Sequence, residues 1–77
     1  MSASIGWNPV KPQKANWLNI GAGSNFADSM ELPRTFDAND IAYLQGFKDA
    51  STHDKEAIQE LIDAIYKHGT IKVFVEY

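Results

Sequence analysis

The last third of the chain changes from a helical to a strand-like hydrophobic period, and this change constrains the fold more than any other sequence feature. Between about residues 53 and 68, apolar side chains recur at the i, i+3, i+4, i+7 spacing of one helix face. These side chains are Ile58, Leu61, Ile62 and Ile65, and the stripe is widened by Ala57 and Ala64. After Gly69, every second residue from Ile71 to Tyr77 is apolar, which is typical of a strand. A helix therefore precedes a C-terminal strand.

The boundaries of this helix carry their own signals. Ser51 followed by Asp54 forms a capping-box pattern, and Thr52 is an equally placed N-cap. His68 and Gly69 follow the last apolar position. A histidine at a helix C-terminus interacts favourably with the exposed carbonyls, and glycine is the usual residue after the last turn.

A second helix is predicted upstream, over about residues 38–50. Asp37 can cap its first turn, and the apolar side consists of Ile41, Tyr43, Leu44 and Phe47. Gly46 interrupts it, and a glycine inside a helix costs about 1 kcal/mol relative to alanine. Gly46 therefore either lets another backbone approach closely or marks an early helix end.

Two further segments, 16–20 and 30–36, are predicted to be extended, with a turn-rich stretch at 21–25 between them. Pro33 cannot donate to a strand ladder, which either pushes the second segment to a sheet edge or shortens it. Residues 1–14 are expected to be an extended N-terminal arm. The sequence thus predicts one α+β domain over residues 1–77, in the order β-β-α-α-β. We expect a three-stranded, largely antiparallel sheet with both helices on one face and the C-terminal strand at its centre.

The length and composition narrow the class of protein. A chain of 77 residues leaves room for one domain, and the absence of cysteine excludes disulfides and thiolate zinc sites. No window approaches 18 consecutive apolar residues, and the first residues lack the pattern of a signal peptide. We expect a cytoplasmic protein that does not enter a membrane.

No constellation of residues predicts catalysis or a cofactor. The loop Gly21 to Asn25 has glycines that could approach a phosphate, but the rest of a phosphate-binding motif is missing. His53 and His68 do not share the helical spacing of a metal pair. We expect no enzyme activity, no metal and no cofactor.

Acidic residues are concentrated in the middle of the chain. Residues 37–63 contain seven acidic residues and two lysines, a net charge of −5. Glu56, Glu60 and Asp63 lie opposite the apolar stripe of the helix at 53–68, and Asp63 can pair with Lys67 at i, i+4. These acids, together with Asp49, form either a solvated surface that keeps a small domain soluble or a docking surface for a basic partner. Direct binding of nucleic acid is disfavoured by the same charge.

Trp7 and Trp17 leave two interpretations open. Either both indole rings close over the sheet, or an arm tryptophan such as Trp7 stays exposed as an interface anchor. The resulting hypothesis is a non-catalytic protein-binding module, such as an inhibitor, adaptor or immunity-type protein, that docks a basic surface through Asp49, Glu56, Glu60, Asp63 and Trp7. The alternative is a small oligomeric enzyme or ligand-binding protein with a pocket between protomers.

Overall fold

Strands and helices occupy most of the chain that the computed structural model describes, namely residues 4–10, 14–19, 29–51 and 54–76. In chain order the elements are β1 (Ser4–Pro9), β2 (Asn16–Trp17), β3 (Arg34–Phe36), a 3-10 turn (Ala38–Asp40), α1 (Ile41–Ala50), α2 (Lys55–His68) and β4 (Ile71–Glu76). The predicted α+β class, with an antiparallel sheet and two α-helices, is confirmed.

The sheet has four strands in the described residues, in the order β2-β1-β4-β3, and each neighbouring pair is antiparallel. The expectation of three strands is wrong because β1 lies within the segment predicted to be an arm. Ile5, Trp7 and Pro9 alternate inward, but Gly6 and two nearby prolines hide this period in the sequence. Pro9 is the last residue of β1, so the donor that proline lacks falls at the end of the strand. An inner strand therefore begins the fold.

The C-terminal strand is one of the two inner strands, as predicted. β4 pairs with β1 along Ser4 to Pro9 and with β3 along Arg34 to Phe36. β3 lies at the sheet edge, directly after Pro33. The extended segments predicted at 16–20 and 30–36 are shorter in the structure, and the turn-rich stretch at 21–25 lies outside the described residues.

The chain enters α1 through a capped 3-10 turn. The Asp37 carboxylate accepts a hydrogen bond from the Asn39 amide at 2.9 Å, and the Asp40 carboxylate accepts one from the Asp37 amide at 3.0 Å. This reciprocal box satisfies amides that the first turn leaves without helical partners. α1 continues through Gly46 to Ala50, and a methyl group on Gly46 would meet nothing within 4 Å. Gly46 therefore neither ends the helix nor admits another backbone.

The stripe predicted for α2 is buried throughout, from Ala57 to Ile65. Its start differs from the prediction, because the Ser51 hydroxyl donates to the Phe47 carbonyl at 2.9 Å and so caps the end of α1. Thr52 and His53 lie outside the described residues. The end agrees with the prediction: the Gly69 amide donates to the Ile65 carbonyl at 2.8 Å, with a φ of 87° that favours glycine.

The core lies between the sheet and the two helices. Inward side chains of the strands meet α2, Leu44 of α1 and Met30 in one hydrophobic cluster. The largest fully buried side chains are Phe36, Met30, Leu44, Ile58, Leu61, Ile71 and Val73. In the described ranges, no helix has the length and apolar character needed to cross a bilayer. In the described residues, the helices cover one face of the sheet, and Trp17 of β2 is half exposed.

Candidate functional site

A groove of about 360 Å³ opens between β1, the start of β2 and α2. Its lining consists of Trp7, Pro9, Lys14, Asn16, Glu60, Asp63, Ala64, Lys67 and His68. The fold explains this set of residues. Trp7 and Pro9 are alternate inward positions of β1, and Asn16 is paired with Trp7 across the ladder. The lining residues from α2, between Glu60 and His68, recur every three or four positions and so lie on one face of that helix.

The floor of the groove is the indole ring of Trp7, which is 8% exposed. Its Nε1–H donates to Glu60 Oε2 at 2.7 Å, and its ring lies 5.8 Å from the His68 ring, centroid to centroid. A hydrogen bond to a charged acceptor is worth about 1.5–3 kcal/mol. Glu60 therefore reaches back to the sheet and joins α2 to β1, in addition to contributing a negative charge.

Asp63 is tied to the neighbouring helix through Gln59. The Lys48 ammonium on α1 donates to Gln59 Oε1, and Gln59 Nε2 donates to Asp63 Oδ1 at 2.9 Å. The expected pair between Asp63 and Lys67 is replaced by this amide contact. Both carboxylates in the lining, Glu60 and Asp63, thus accept a hydrogen bond from within the protein.

The two lysines of the groove differ from its acids. The ammonium groups of Lys14 and Lys67 form no hydrogen bond or ion pair with any residue that the structure describes. The backbone beside Lys14 is nevertheless fixed, since Asn16 Nδ2 donates to the Lys14 carbonyl at 2.9 Å. The groove therefore contains two carboxylates that each accept a hydrogen bond from within the protein, and two ammonium groups that have no partner in the described part of the chain.

The structure brings together only part of the site predicted from the sequence. Trp7, Glu60 and Asp63 line the groove, whereas Asp49 and Glu56 are exposed outside it. Asp49 accepts a hydrogen bond from Gln45 Nε2 at 3.2 Å, one helical turn away. Lys14, Asn16, Lys67 and His68 were not predicted as site residues. No local pattern could have joined them, because they meet only after β1 pairs with β2 and packs against α2.

Trp17, rather than Trp7, is the exposed tryptophan of the described residues. Half of Trp17 is exposed, and its ring packs edge-on against Phe74 at 5.5 Å between centroids. The pair lies over Gly6 on the sheet face opposite the helices, where a methyl group on Gly6 would come within 2.9 Å of Phe74. The interpretation of Trp7 as an exposed anchor therefore does not fit the geometry.

Within the described ranges, no group of three histidine or acidic side chains could hold a metal ion. Comparison with known proteins adds no relative: no family model matches the chain, and no curated protein or solved structure matches it significantly.

Proposed function

We propose that this chain is a non-catalytic protein-binding module that docks on a basic surface of a larger protein. We call Asp49, Glu56, Glu60 and Asp63 the acidic helix surface. The observation that carries the proposal is the separation of charge between layers. Residues 37–68, which contain both helices, hold seven acidic residues and three lysines, a net −4, while the rest of the chain has a net +1.

The exposure of the acidic helix surface supports this proposal. Asp49, Glu56 and Asp63 are exposed, and they lie on the side of the helices away from the buried stripe. A layer of one sign of charge attracts partners of the opposite sign over about a Debye length and accelerates their association. Lys48 offsets part of this charge where it contacts Gln59. Within the acidic helix surface, Glu56 is the acid without a hydrogen bond or ion pair to any described residue.

The test compares two double charge reversals that change the net charge equally. One variant combines Glu56→Lys and Asp63→Lys on α2, and the control combines Glu31→Lys and Glu76→Lys outside the helical layer. Glu60 stays unchanged because it holds Trp7. The partner is captured from the native host with wild-type bait and identified by mass spectrometry, and its association rate is then measured with purified proteins.

We expect the α2 reversal to slow association about tenfold at low salt, because steering charges act mainly on the on-rate. The difference from wild type should shrink as salt rises. The control reversal should slow association much less, and circular dichroism should show that both variants fold. Equal association rates for the two reversals would contradict the proposal and leave the acids as a solubilising surface.

A further inference from the structure

The groove beside Trp7 has walls that suit a flat apolar group. Trp7, Pro9 and Ala64 contribute apolar surface from β1 and α2. A volume of about 360 Å³ lies at the small end of the range for ligand pockets. One or two fused rings would fill it, with the ring face against the indole and proline. The apolar walls therefore favour a ligand with an aromatic ring, and the charged side chains of the groove select the group attached to that ring.

The formal charges of the groove cancel, because Glu60 and Asp63 are balanced by Lys14 and Lys67, so its preference for a substituent depends on which groups are free to donate or accept hydrogen bonds. Glu60 and Asp63 are each hydrogen-bonded within the protein, to Trp7 and Gln59 respectively. Lys14 and Lys67 come from two separate segments, line the same groove, and have no partner among the described residues. Both ammonium groups can donate to the same carboxylate of a ligand. Such charge-assisted hydrogen bonds are stronger than neutral ones.

We propose that the groove binds a small aromatic carboxylate, with the ring against Trp7 and Pro9 and the carboxylate held by Lys14 and Lys67. The Asn16 side chain also donates a hydrogen bond to the Lys14 carbonyl, next to the backbone from which one of these cations extends. This inference goes beyond the proposed docking function, since it concerns a small molecule. The groove shares Glu60 and Asp63 with the acidic helix surface, but its test changes only Lys14 and Lys67. The two proposals can therefore fail independently.

The experiment is a titration of the purified chain, observed through its two indole N–H signals in proton–nitrogen correlation spectra. The Trp17→Phe variant assigns the signals. Three probes share one ring system and differ in charge: indole-3-acetate, the neutral indole-3-acetamide and the cationic tryptamine. Trp7 lines the groove and Trp17 lies on the opposite sheet face against Phe74, so the Trp17 signal is the internal control.

We expect indole-3-acetate to shift the Trp7 signal with a Kd of about 1 mM, which is ordinary for so small a ligand. The Trp17 signal should stay in place. Lys14→Ala and Lys67→Ala should each raise the Kd about two- to fivefold, the range of an exposed ion pair. Lys72→Ala is the matched control, because Lys72 is exposed on β4 and does not line the groove.

Each other outcome overturns the proposal. If the Trp7 signal does not move at tenfold the expected Kd, the groove holds no such ligand. If the amide binds as tightly as the acid, the groove is only an apolar cleft. If tryptamine binds more tightly, Glu60 and Asp63 dominate the groove. If Lys14→Ala and Lys67→Ala both bind like the Lys72→Ala control, the two lysines do not hold the carboxylate.

Discussion

Gly46 and Gly6 differ in their surroundings. Gly46 lies in the middle of α1 with open space around it, so an added methyl group meets nothing within 4 Å. The same group on Gly6 would lie 2.9 Å from Phe74 Cζ and 3.1 Å from the Asn16 carbonyl oxygen. The Asn16 carbonyl belongs to the backbone and cannot rotate away. The backbone of β1 therefore needs glycine, whereas that of α1 does not.

This contrast gives a paired prediction. Gly46→Ala should raise the free energy of unfolding by about 0.5–1 kcal/mol, because alanine restricts the unfolded chain and favours helix. Gly6→Ala should lower it by about 1–3 kcal/mol, because the strand is overpacked. Urea denaturation of both variants and the wild type measures these changes. A loss of stability in Gly46→Ala would show that the α1 face around Gly46 is covered.

At the scale of elements, α2 supplies one side of the core. Leu61→Ala should lower the free energy of unfolding by about 2–5 kcal/mol, because Leu61 is fully buried and the substitution leaves a cavity. Tyr66→Ala in the same helix is the control, because Tyr66 is 73% exposed and should cost about 0.5 kcal/mol or less. Chemical denaturation distinguishes the two. Similar losses for both variants would mean that the apolar stripe is assigned to the wrong face.

The elements that the sequence predicts are those in which one hydrophobic period runs uninterrupted. α2 and β4 meet this condition, and their order and burial agree with the prediction. β1 does not, because Gly6 supplies no polar side chain at the outward position between Ile5 and Trp7, and Pro9 argues against a strand. Its identity as a strand comes from pairing with β4, more than 60 residues away in the sequence.

The same reasoning applies to the groove. Glu60, Asp63 and Trp7 were each predicted for a surface role, since acids on a polar helix side and a tryptophan near a terminus are visible in the sequence. Their contact was not predictable, because it depends on β1 lying in the sheet beneath α2. Lys14 was assigned to an arm and Lys67 to an ion pair with Asp63. Both become groove residues only in the folded chain.

At the scale of the whole molecule, the sheet order determines how the N-terminus contributes to stability. β1 lies between β2 and β4 and carries Ile5 and Trp7 into the core. Without it, β2 would lose its only strand partner in the described sheet, and β4 would become an edge. The two inner strands of the described sheet are therefore β1 and β4, which lie far apart in the sequence.

The final prediction distinguishes an inner strand from an arm. Ile5→Asn should lower the free energy of unfolding by about 2–5 kcal/mol, because it removes a buried aliphatic group and places an amide among apolar neighbours. Ser4→Asn is the matched control, since Ser4 is exposed in the same strand and acquires the same side chain. A chain lacking residues 1–9 should lose its cooperative thermal transition, measured by circular dichroism. If that truncated chain unfolded with the wild-type midpoint, the N-terminal segment would be dispensable for the fold, and β1 would not act as an inner strand.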